Sequence, residues 1–177
     1  MSKKSIKEQI KEYFLINPTI KLRVRQIERT INVPLPSVIR YTKELETEGI
    51  LKINEIVNIK AYSANRSSES FKIEKTLHNL RQLHISNLIS YLKEEYSNPT
   101  IIIFGSYSKG EDIEKSDIDL YIQTPSKKKI TLSQFEKKLK RNIHTFIYKN
   151  INLIKNKDLA NNIINGIVLN GFIEVLK

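Results

Sequence analysis

The spacing of apolar residues changes along the chain, and with it the predicted elements. Over residues 3–16, Ile6, Ile10, Tyr13 and Phe14 recur at steps of three and four, the stripe of an amphipathic helix that must end before Asn17-Pro18. A second helix is predicted over 24–31. A third starts at Pro34-Leu35-Pro36-Ser37 and runs to Glu48, with Gly49 as its cap. Its inward positions would be Val38, Tyr41 or Thr42, and Leu45, leaving Ser37, Arg40, Lys43 or Glu44, and Thr47 outward. Residues 50–54 and 56–62 then read as two strands able to pair as a hairpin. Small and polar residues over 63–70 read as a linker, which divides the chain into domains at 1–66 and 67–177.

The second part opens on a stripe of Phe71, Ile73, Leu77, Leu80, His84, Leu88 and Leu92, flanked by Ile85 and Ile89, which predicts one long connecting helix over about 70–96. Ile101 to Phe104, between Pro99 and Gly105, is a continuous apolar run and reads as a buried strand. Asp117-Ile118-Asp119-Leu120-Tyr121-Ile122 alternates with period two, so a second strand would carry both aspartates on one face and Ile118, Leu120 and Ile122 on the other. A helix over 131–141, a strand over 143–148, a helix over 157–165 and a glycine-punctuated apolar end, 166–175, complete an α+β fold.

Chemistry concentrates between those two strands. Carboxylates one pleat apart lie about 7 Å apart along the backbone, and their repulsion must be offset by a cation or a proton. Oxygen ligands beside a phosphate-sized loop suit Mg²⁺ or Mn²⁺, which keep positions for water and substrate phosphates. Gly105 lets backbone N–H groups approach an anion, and the Ser106 hydroxyl can add a hydrogen bond. The strand, the Gly105-Ser106 pair, the ten-residue spacing and Asp117-x-Asp119 together resemble the signature of the DNA-polymerase-beta-type nucleotidyltransferases, in particular the minimal members of archaea and bacteria. The resemblance implies a small mixed sheet flanked by helices. It also implies an NTP substrate, with ATP the expected one, bound at Gly105 and Ser106 with help from Lys109, and metal at Asp117 and Asp119, where a hydroxyl attacks the α-phosphate and releases pyrophosphate.

The same resemblance falls short at one position. Many active relatives carry a third acid on the strand after the helix, whereas His144 stands nearest to that place here. His144 can act as ligand or base, Glu174 or Asp158 can fold into place, or catalysis can be lost.

The first part, from Arg25 to Leu51, resembles a winged helix-turn-helix domain, the third helix being the reader and the hairpin the wing. Ser37, Arg40, Lys43, Lys52 and Lys60 are then the candidate DNA or RNA contacts. Charge does not single this part out. The chain carries a net charge of +11, with 13 basic and 7 acidic residues over 1–66, and 17 and 12 over the rest. Glu44, Glu46 and Glu48 crowd the end of the reader helix. The chain has no cysteine, which excludes disulfides and thiolate metal sites. It shows neither an apolar leader nor a run of membrane-spanning length, so the expectation is a cytoplasmic protein without a membrane partner.

Three functions fit. The first is a transferase acting on a protein, nucleic-acid or small-molecule acceptor. The second is a winged-helix regulator or antitoxin-like protein whose degenerate transferase half only binds nucleotide or a partner. The third is an assembly module that forms a homodimer.

Overall fold

The computed structural model describes residues 4–56 and 59–174. Lys3 of the first predicted helix, Val57 and Asn58 of the second predicted strand, and Val175 of the C-terminal segment lie outside the described residues. The chain divides into two compact units, Met1–His78 and Asn79–Lys177.

In the first unit, helices α1 (Ile6–Ile16), α2 (Val24–Ile31) and α3 (Leu35–Thr47) are followed by strands β2 (Leu51–Ile56) and β3 (Ile59–Ala64). A two-residue strand, β1 (Lys21–Leu22), lies beyond the reach of a periodicity argument and pairs with β3, giving an antiparallel sheet of order β1-β3-β2. Ser5 caps α1 by a reciprocal capping box with Glu8. Gly49, at φ +75°, provides the left-handed residue just after α3. The core gathers Ile10, Phe14, Ile27, Val38, Leu45, Leu51, Tyr62 and Phe71. Of the two residues left open on α3, Thr42 is the buried one, its hydroxyl donating to the Val38 carbonyl at 2.8 Å.

The division between units falls within helix α4 (Glu69–Ile85), where two expectations fail. The single helix over 70–96 is in fact α4 and a separate α5 (Leu88–Glu95). Asn87 adopts a left-handed conformation, φ 66°, and the Ser86 hydroxyl both donates to the Leu83 carbonyl and accepts from the Leu88 N–H, replacing backbone bonds that a continuous helix would make. The buried face of α4 is also not the apolar stripe. Phe71, Lys75, Asn79 and Leu83 are buried, while Ile73, Leu77 and Ile85 are exposed. The Asn79 amide donates to the Tyr107 carbonyl at 2.9 Å and to Asp112 Oδ1 at 2.7 Å, so its polar group is satisfied in place.

The second unit is built on a mixed sheet of order β6-β5-β4-β7. Its strands are β4 (Thr100–Phe104), β5 (Ile118–Gln123), β6 (Ile143–Tyr148) and β7 (Ile167–Asn170); β5 and β6 are parallel and the other pairs antiparallel. Helix α6 (Gly105–Ser108) follows β4 directly, α7 (Ser133–Leu139) lies between β5 and β6, and a 3-10 turn (Ile151–Leu153) with α8 (Lys157–Ile164) precedes β7. Both faces of the sheet are covered, which explains why β4 reads as an unbroken apolar run. Ile101 and Ile103 join Leu88, Leu92, Ile118, Leu120, Ile122 and Phe135 on one side. Ile102 and Phe104 join Tyr121, Ile151, Ile154 and Ile163 on the other. Among the described residues no helix is long and apolar enough to cross a membrane.

Candidate active site

The pleat fixes what Asp117 and Asp119 can reach. Asp119 is opposite Phe104 on β4 and His144 on β6, and Tyr121 is opposite Ile102 and Phe146. Directly opposed residues share a face. Asp119, His144, Phe104, Tyr121 and Phe146 therefore form one layer, in which the aromatic floor, with Phe104 and Phe146 rings 5.3 Å apart, gives way to polar groups toward the start of β5. Asp117 immediately precedes that strand.

The Gly-Ser segment is a helical turn rather than the expected loop, and it meets the acids. Gly105 has φ +74°, and a Cβ built there would stand 2.8 Å from Asp119 Oδ2. Glycine is thus required twice, by backbone conformation and by the carboxylate that occupies the side-chain space. Gly105→Ala should cost about 1–3 kcal/mol in urea unfolding, since it adds a strained residue and displaces Asp119. Ser106 is half-buried, its carbonyl accepting from Lys109 N and Glu111 N. Lys109 caps the turn and is exposed.

His144 bridges the pair. Its Nε2 is 3.8 Å from Asp117 Oδ2 and its Nδ1 is 3.6 Å from Asp119 Oδ1. Because each ring nitrogen faces a different carboxylate, the three groups do not converge on a single point, and among the described residues no set of three His, Cys, Asp or Glu side chains is arranged to hold a metal ion. Two carboxylates remain as a donor set, which fits Mg²⁺ or Mn²⁺ completed by phosphate and water. Asp158 is placed in the first turn of α8 and Glu174 in the exposed C-terminal segment, so the position in register with Asp119 belongs to His144.

Burial raises the Asp119 carboxyl above its ordinary range; Asp117 adds to the rise and His144 opposes it. The folded state therefore holds a proton that the unfolded chain releases, and this group lowers stability as pH climbs from the usual carboxylate value through its own. Asp119→Asn should raise the melting temperature at neutral pH in EDTA by about 1–2 °C, an advantage that fades in acid, and should remove any rise produced by Mg²⁺. Beside Asp117 a cleft of about 450 Å³ opens, its lining including Lys115, Ser116, Lys137, Lys140 and Asn142.

Residues 85–170, which hold this sheet, the Gly-Ser turn and the acid pair, match the family model described as the nucleotidyltransferase domain. This stretch is similar to nucleotidyltransferase domains. No curated protein matches the chain. The match starts at the last residue of α4 and ends with β7, so it covers the whole four-stranded sheet and leaves the first unit outside it.

In the first unit the candidate nucleic-acid contacts are dispersed and partly neutralised. Arg40 and Lys43 are exposed on α3 and Ser37 is half-buried, but Arg40 Nε lies 2.9 Å from Glu44 Oε1 and its guanidinium sits over the Tyr41 ring. Lys60 is opposite Glu55 with an ion pair of 3.5 Å. Lys52 is opposite Ser63 and Lys60 opposite Glu55, three register steps apart, an odd number, so the two lysines stand on opposite faces of the hairpin. Sequence reasoning missed Arg141, Asn142, Asp112 and Asn79, all of which bear on the site. Their hydrogen bonds run between elements distant in sequence, and no local periodicity signals them.

Proposed function

We propose that the second unit transfers a nucleoside monophosphate from an NTP to an acceptor hydroxyl. The observation that carries this reading is the meeting of Gly105 with the Asp119 carboxylate, which brings the Gly-Ser turn and the acid pair into one site. The opening N–H groups of the turn at Ser106 have no acceptor within a helix and suit the triphosphate, as does the nearby Lys109 ammonium. Asp117 and Asp119 would hold Mg²⁺ or Mn²⁺, which when bound neutralises phosphate charge and activates the acceptor oxygen. That oxygen forms a bond to the α-phosphorus, the bridging α–β P–O bond breaks, and pyrophosphate leaves. His144, on the same face as both acids, takes the acceptor's proton. ATP is the NTP to try first.

The first unit is read as a winged helix, with α2 and α3 as the helix pair and β2 and β3 as the wing. In this reading it brings the domain to nucleic acid or to a protein partner. The ion pairs of Arg40 and Lys60 argue for modest, salt-sensitive DNA or RNA affinity. One observation favours a second reading of the other unit: a histidine, which can be uncharged, stands in register with Asp119 where the resembling enzymes have an acid. The protein would then hold nucleotide and regulate, as an antitoxin-like or DNA-binding protein does, without transfer. Incubation with α-labelled NTP and Mg²⁺ separates the two. Label joined covalently to protein, nucleic acid or a small acceptor, with pyrophosphate released, supports the transferase; retained but unreacted NTP supports the regulator.

A further inference from the structure

Asp117 is reached through residues 109–117, a segment without helix or strand, and a metal-binding carboxylate at the end of such a segment needs an external hold. One dipeptide just before β6 supplies it. Arg141, whose side chain is 9% exposed, donates to the carbonyls of Ile113 and Ser116 and to Asp112 Oδ2, the last two at 3.3 and 3.2 Å. Asp112 is buried, and its other oxygen accepts from Asn79, which also holds the Tyr107 carbonyl of the Gly-Ser turn. Next to Arg141, the Asn142 carbonyl accepts from Ile118 N at 2.9 Å, and its side-chain amide donates to Asp117 Oδ1 at 3.0 Å. Asp117 Oδ2 is the oxygen left facing His144.

Resting on the transferase reading, we propose that Asn142 is a positioning residue for metal binding: anchored by Arg141, it holds one oxygen of Asp117 and thereby turns the other toward Asp119 and the substrate phosphates. A donor that occupies one carboxylate oxygen fixes the ligand's orientation, and loss of such a partner costs metal affinity about 10–100-fold. Asn142 is exposed, so its amide is not needed to fill a core. Arg141 itself is committed to Asp112 and the two carbonyls, and it is an anchor rather than a phosphate ligand.

Mn²⁺ binding to the full-length protein, measured by calorimetry without nucleotide, tests this with Asn142→Ala. The expected result is roughly tenfold weaker binding at an unchanged melting temperature. In the transfer assay the variant should need correspondingly more Mg²⁺, with the NTP KM restored when Mg²⁺ is saturating. Unaltered Mn²⁺ affinity in Asn142→Ala, beside a wild type that binds the ion, overturns the positioning role and leaves the transferase reading standing. A wild type that binds no Mn²⁺ overturns the positioning role as well, and the label-transfer assay alone then decides the transferase reading.

Discussion

Replacing Arg141 by methionine is expected to destabilise the second unit by about 3–5 kcal/mol, because it takes a guanidinium away from the buried Asp112 carboxylate. The Asp112 side chain has no exposed surface, and Asn79 and Arg141 are among the groups that meet its oxygens. Desolvating a carboxylate is tolerable only while those partners remain. The pair itself need not contribute much net stability, since the cost of burying both charges offsets most of their attraction. Asp112→Asn in the Arg141→Met background should therefore recover much of the loss, as it removes the buried charge while keeping an oxygen for the Asn79 amide. Urea unfolding of the single and double variants measures both effects. A loss under about 1 kcal/mol for Arg141→Met would mean that other groups or water hold the Asp112 charge without Arg141.

The same clamp marks the limit of what the sequence discloses. Asp117 and Asp119 were read onto one face because a strand's period is two and Ile118 between them is apolar. Within β5 the alternation is seen, with Ile118, Leu120 and Ile122 in one core layer and Tyr121 in the other. The α+β class and the helices of the first unit were legible for the same reason: each is specified by spacing within a dozen residues. The joint between α4 and α5 was not, because Leu88, Ile89 and Leu92 continue an apolar rhythm that Ser86 and Asn87 interrupt by hydrogen bonding and a left-handed turn. Nor was the inward face of α4. Hydropathy puts Ile73 and Leu77 inside, whereas Asn79 is buried because two acceptors far along the chain meet its amide. Arg141 and Asp112 are 29 residues apart and acquire a meaning only once β5 and β6 lie side by side.

Position along the chain brought His144 near the missing acid, and the register with Asp119 gives it a physical role. A ring that reaches both carboxylates must release them for two oxygens to turn toward a metal. The proposed site thus carries a competitor for its own cation.

Exchanging Asp117 and Asp119 for alanine is expected to lower transfer by at least about a thousandfold, since both the charge and the geometry that seat the metal–triphosphate are lost together. Each single change should fall nearly as far, because the two acids act as one unit. The folded protein should survive, since the side chains of Asp117 and Asp119 are only partly buried, 35% and 29% exposed, and Asp119 is held at a cost. The decisive measurement is transfer of label from α-labelled ATP in the presence of Mg²⁺, with natural and doubly substituted protein side by side. The account predicts label joined to an acceptor by the natural protein and none above background with Asp117→Ala and Asp119→Ala. Equal transfer by the two proteins would contradict it.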